Sequence, residues 1–147
     1  MITHDIRGKV LTVLGPTDPN DLGITITHEH LLIDFALTFH PPAEASERFR
    51  AFQPVTIENL GWLRYDPYRN KDNLEVLDEE LAVSEALLFK ARGGRTIVDA
   101  TTIGIGRDPL ALARISRATG LNVIMGAGYY VDEAHPEGMD EKSDADL

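Results

Sequence analysis

Strand and helix signals alternate through the second half of this 147-residue sequence, which marks an α/β protein with parallel strands. Two further observations agree. The run from Gly23 to Asp34 is long and apolar enough for a strand buried in a larger sheet. Glycine and capping signals at Gly93-Gly94, Asp108-Pro109 and Gly120 punctuate the later runs at the short spacing of strand-helix units. Right-handed crossovers join such strands in open doubly wound sheets and in closed barrels alike.

Taken in order, Lys9 to Leu14 and Gly23 to Thr27 read as two extended runs around a polar turn containing Gly15-Pro16 and Asp18 to Asp21. That pattern predicts a leading β-hairpin, so residues 1–34 hold the hairpin and the first strand of the main sheet. Residues 35–73 contain Pro41, Pro42, Pro54 and Pro67 with scattered aromatics and no sustained period, which predicts a long loop. Loops of this length in a compact domain are uncommon and often functional, so a lid or pocket wall is expected.

Residues 74–132 carry the repeating units. Leu74, Leu77, Leu81, Ser84, Leu88 and Ala91 follow steps of three and four, which predicts one helical stripe ended by Gly93-Gly94. Thr96 to Asp99 is a short β-branched strand. Asp108 then reads as an N-cap with Pro109 at the first helical position, and Leu112, Ile115 and Ala118 lie near helical spacing before Gly120. Leu121 to Gly128 is the next strand. Residues 133–147 read as an acidic loop and the start of a further helix, with Ser143 before Asp144 to Leu147. A helix that begins there has no length to bury a face, so 1–147 is expected to be a single truncated domain, the front part of a longer protein.

Composition limits the chemistry. A net charge of −10 argues against a nucleic-acid or anionic-membrane surface. No cysteine is present, which excludes disulfides, thiolate zinc sites and cysteine nucleophiles. No run approaches the roughly 18 apolar residues of a membrane span, and Met1 to Asp5 lacks a signal-peptide pattern, so a cytoplasmic location is the expectation.

The sharpest local signal is Thr27-His28-Glu29-His30-Leu31 at the end of an apolar strand. Positions i and i+2 share a strand face, so His28 and His30 point the same way about 7 Å apart along the backbone. Two neutral imidazoles there can converge on one cation, while Glu29 faces oppositely. The alternative is a pair of core histidines satisfied by hydrogen bonds, and spacing alone leaves both open. Asp99 reads as a buried aspartate satisfying loop amides. Gly104 to Asp108 lacks the lysine of a nucleotide-binding loop and reads as a tight turn. His4, His40 and His135 read as exposed surface residues, and Trp62 as an anchor or roof for the long loop.

Several of these segments together resemble the phosphotriesterase-like family of the amidohydrolase superfamily. The resemblance rests on Thr27-His28-Glu29-His30-Leu31, Gly94 to Asp99, Gly104 to Asp108 and Gly126 to Asp132, with Pro54 to Leu63 similar to the loop of one large branch. It implies the amino-terminal part, about three βα units plus the hairpin, of a (β/α)8 TIM barrel. It also implies two divalent metal ions, zinc in the usual case, bridged by a carboxylated lysine and a hydroxide. His28 and His30 match the pair that binds the more buried metal, and Tyr130 matches a substrate-pocket position. The remaining ligands would come from the fourth, fifth, sixth and eighth strands.

The chemistry so implied is hydrolysis of lactones, carboxylic esters or amides, or phosphotriesters, with cations that lower the pKa of bound water to about 7. Two histidines leave a zinc site short of ligands, so 1–147 alone is expected to be inactive. Expected partners are a small-molecule substrate and, through unpaired sheet edges, further copies in a homo-oligomer. The competing reading is a non-catalytic α/β binding or interaction module whose histidines are structural.

Overall fold

The computed structural model describes residues 6–143. In chain order the regular elements are β1 (Val10–Thr12), β2 (Gly15–Thr17), β3 (Ile24–Glu29), β4 (Ile33–Asp34), α1 (Leu60–Leu63), β5 (Glu75–Val76), α2 (Glu79–Ala91), β6 (Gly94–Asp99), α3 (Pro109–Thr119) and β7 (Asn122–Met125). Strands β3, β6 and β7 form a parallel sheet in that order, with α2 and α3 as its crossovers. The expected α/β architecture is therefore present.

The hairpin lies earlier than the sequence pattern suggests. β1 pairs antiparallel with β2, so the chain reverses at Val13-Leu14, and the Gly23 to Thr27 run becomes part of the parallel strand β3 instead. Gly15 makes the early reversal feasible by adopting a φ of +124°, and Thr12 Oγ1 donates to its carbonyl at 2.8 Å. Val13 N–H then donates to Val123 O at 2.8 Å, which ties the hairpin to β7.

α2 also differs from its predicted stripe. Asp78 accepts from the N–H groups of Glu80 and Leu81, so the helix begins at Glu79 and excludes Leu74 and Leu77. Its buried residues are Ala82 and Ala86, whereas Leu81 and Leu88 are 49% and 52% exposed. Small residues on the inner face admit close approach to the sheet. The same economy of space holds at Gly94, where a Cβ would overlap the Phe89 ring.

α3 follows its signals closely at both ends. Asp108 caps the N–H groups of Leu110 and Ala111 with Pro109 in the first turn, and Gly120 closes the helix in the left-handed region. Leu112, Ile115 and Thr119 are buried, while Ala118 faces outward because the inner face continues through Thr119. Core packing between helices and sheet joins Ala82, Ala86, Ile97, Leu112, Ile115 and Val123. β7 ends at Met125, short of the expected Gly128, where a φ of +81° turns the chain away.

The segment 35–73 is folded rather than slack. Short helical turns run through it, and fully buried Asn70 donates to Arg50 O and Gln53 O at 2.7 and 2.8 Å while accepting from Asn73 N–H. Trp62 lies beneath the Arg50 guanidinium, 5.7 Å from its ring centroid, so it anchors this segment internally. The helix start expected at 144–147, and His4, lie outside the described residues. Among the described residues no helix is long and apolar enough to cross a membrane.

Two measurements test these supports. Asp108→Ala removes the acceptor for two helix-end N–H groups and is expected to cost about 1 kcal/mol, read as a lower urea midpoint at unchanged slope. Across the crossovers, Arg114 Nε donates to Glu79 Oε2 at 2.9 Å. That hydrogen bond, aided by the guanidinium charge, holds the Glu79 carboxyl below its ordinary 4.5. A depressed carboxyl contributes stability above its unfolded pKa and loses it as pH falls through the folded one. Glu79→Gln should therefore reduce the acid-side loss of stability below about pH 4.5 while leaving the neutral-pH slope flat, as followed by thermal melts across pH.

Candidate functional site

Parallel pairing brings the carboxyl ends of β3, β6 and β7 to one edge of the sheet. There the chain presents His28 and His30, the Asp99 to Thr102 turn, and Gly126 to Tyr130. Backbone bonds lock these ends together, since Ala100 N–H donates to Glu29 O at 2.8 Å and Gly126 N–H to Asp99 O at 2.6 Å.

β3 is not regular as it reaches this edge. Ile26 pairs with Ile97 and Glu29 with Asp99, so three steps on β3 match two on β6, and an extra residue is accommodated across Thr27-His28. Such a bulge bends the strand and re-aims the side chains beyond it. The imidazoles of His28 and His30 converge here, with ring centroids 5.3 Å apart and planes at 74°. His28 is exposed and His30 half-buried.

Asp99 holds the backbone beside the pair. It is fully buried, and its carboxylate accepts from Leu31 N–H at 2.8 Å and from Thr101 N–H at 3.0 Å. One oxygen thus fixes the backbone just after His30, and the other shapes the turn opposite. Thr101, which the sequence reading passed over, packs its hydroxyl 2.9 Å from His30 Nδ1 and 3.1 Å from Leu32 O. The available signal was a polar Thr101-Thr102 pair following directly on a strand that ends in aspartate.

Tyr130 stands apart in its contacts. Its ring packs edge-on against Phe35 at 5.7 Å, and Phe35 in turn lies 6.5 Å from Tyr68 of the 35–73 segment. Half-exposed, Tyr130 thus joins two aromatic rings, Phe35 and Tyr68, from opposite ends of the 35–73 segment. Periodicity gave no warning of Phe35 or Tyr68. The turn at Gly104 to Asp108 is tight, as expected: Gly106 has a φ of +87°, and a Cβ on Gly104 would collide with the Ala134 carbonyl. Arg107 donates from it to Gly126 O at 2.8 Å. His40 is exposed, but His135 is half-buried against Tyr129, a correction caused by the tail folding back onto this turn.

Imidazole pairs are suitable first ligands for a divalent cation, and the convergence of His28 and His30 fits one. Among the described residues no cluster of three or more His, Asp or Glu side chains that could hold a metal ion is assembled.

The sequence model of the phosphotriesterase family matches residues 8–145. An N-acetyltaurine hydrolase of Tetraodon nigroviridis is 47% identical over 134 residues, covering 90% of this chain and 38% of that protein. The crystal structure of a resiniferatoxin-binding protein from Rhodobacter sphaeroides superposes with a TM-score of 0.90 at 46% identity, over 95% of this chain and 39% of that one. A lactonase from Listeria monocytogenes gives 0.60 at 27% identity, over 92% of this chain and 34% of that one. The chain spans about two fifths of the length of the curated relatives it matches.

The buried carboxylate can be tested directly. Asp99→Asn turns one oxygen into a donor facing a buried N–H and is expected to cost about 1–3 kcal/mol in urea unfolding. A loss below about 0.5 kcal/mol would show that neither amide depends on it.

Proposed function

Given that the chain belongs to the phosphotriesterase family, we propose that it supplies the first metal-gripping half of a binuclear hydrolase whose substrate is a small amide. The observation that carries this reading is the convergence of His28 and His30 at the carboxyl edge of the parallel sheet. Strand ends of this kind are where αβ-barrel folds gather their reacting groups. When bound, divalent metal ions, zinc in the usual case of the family resembled, would polarise the scissile carbonyl and make water acidic enough to attack near neutral pH.

The residues of this chain have separate parts in that scheme. His28 and His30 hold one cation. Asp99 keeps the following backbone in place so that the two rings stay together. Tyr130, backed by Phe35, walls the substrate side with an aromatic surface and carries a phenolic group able to donate a hydrogen bond. The amide preference is drawn from the N-acetyltaurine hydrolases to which the chain is similar, ahead of the lactone and phosphotriester alternatives.

A second reading has one observation in its favour. The structural relative at 46% identity is named for binding a ligand, which suits a non-catalytic module with structural histidines.

Metal content separates the two. Protein expressed from the complete coding sequence should carry about two divalent ions per chain and hydrolyse N-acetyltaurine faster than a lactone or a phosphotriester. His28→Ala with His30→Ala should lower both metal content and turnover by at least about 100-fold in rate. Well-folded protein that binds no divalent ion would defeat the hydrolase reading and leave the binding module.

A further inference from the structure

The hydroxyl of Thr101 has one proton to give and two lone pairs to offer. It lies 3.1 Å from Leu32 O, a carbonyl that can only accept, and 2.9 Å from His30 Nδ1. Thr101 is 1% exposed and Leu32 6% exposed, so solvent has little access to the hydroxyl or to the carbonyl it faces. The single hydroxyl proton is therefore directed to Leu32 O, and what remains toward His30 is a lone pair. Both bonds form together only if His30 Nδ1 carries the hydrogen.

We propose that Thr101 is a positioning residue that holds His30 as its Nδ1–H tautomer, leaving the Nε2 lone pair free to bind a divalent cation. The inference rests on the metal-binding reading for its purpose, and on hydrogen-bond arithmetic alone for the tautomer. The reverse arrangement, with the hydroxyl donating to Nδ1, would leave the buried Leu32 carbonyl unpaired and would place the hydrogen on Nε2. The backbone enforces the choice. Thr101 N–H donates to Asp99 Oδ1 while Leu31 N–H donates to Asp99 Oδ2, so one carboxylate fixes both the turn carrying the hydroxyl and the chain just beyond the ring. A ligand histidine whose other nitrogen is held in this way arrives oriented and in the binding tautomer.

Long-range proton–nitrogen NMR on the 147-residue chain, with histidine labelled and in alkaline solution where imidazole is neutral, reads the tautomer without any metal. The expected result is His30 with hydrogen on Nδ1, and a dominant Nε2–H form would overturn the proposal. Thr101→Val should shift His30 toward the Nε2–H form, and Thr101→Ser should restore the original pattern.

Zinc ion alone, titrated into the same proteins, supplies the second readout. Affinity at His28 and His30 should fall by about 10-fold or more in Thr101→Val and recover in Thr101→Ser. Equal zinc affinity in all three proteins would overturn the positioning role while leaving the hydrolase reading intact. Absence of zinc binding by protein expressed from the complete coding sequence, with the Nδ1–H tautomer retained, would count against the hydrolase reading alone. The tautomer of the unsubstituted chain decides the central claim even if Thr101→Val fails to fold.

Discussion

The buried carboxylate of Asp99 is the constraint on which the carboxyl edge depends. A carboxylate away from water must find donors, and this one takes two backbone N–H groups from different segments, Leu31 and Thr101. The main chain of Asp99 meanwhile accepts from Gly126 N–H. Three loops that leave three strands are thereby tied to a single residue. The consequence reaches outward from sheet to site: β3 enters the edge through a bulge, the rings of His28 and His30 come together, and the chain beyond them turns at once into the core at Leu31 and Leu32.

Local chemistry made much of this legible in the sequence. Asp108, Pro109 and Gly120 bound α3 because cap residues act on the nearest backbone groups, and those interactions need no distant partner. The His-X-His spacing makes the pair visible, but the strand reaches it through a bulge, so regular alternation alone does not aim the two rings. Features that depend on remote contacts were hidden. The leucine pattern of α2 predicts one stripe through Leu81 and Leu88, and only the nearness of the sheet selects Ala82 and Ala86 as the inner face instead. The hairpin was misplaced because the polar turn at Asp18 to Asp21 looks like a reversal, while the true one relies on a single glycine conformation.

At the site the boundary between visible and hidden has the same cause. A histidine pair announces itself by residue type, whereas Thr101 matters through bonds to residues 69 and 71 positions away. The extra residue in β3 exists only relative to the pairing of β6. Phe35, Tyr68 and Tyr130 carry no shared sequence pattern and become neighbours because Phe35 N–H is held by Leu74 O, which folds the 35–73 segment against the rim. Only the family resemblance, and no spacing, singles out Tyr130 among the residues beyond β7 as a candidate to face a substrate.

Asn70 gives the 35–73 segment a mechanical character that its proline-rich composition conceals. Its buried amide bridges two carbonyls from one stretch and an N–H from another, so the short helical turns around it are tied to one another. Amide hydrogens near this knot should exchange together, as a cooperative foldon, and not in the graded manner of a fraying surface loop. A rim built that way keeps its aromatic edge in register with the sheet beneath it, and any opening would have to swing the whole block as one rigid body.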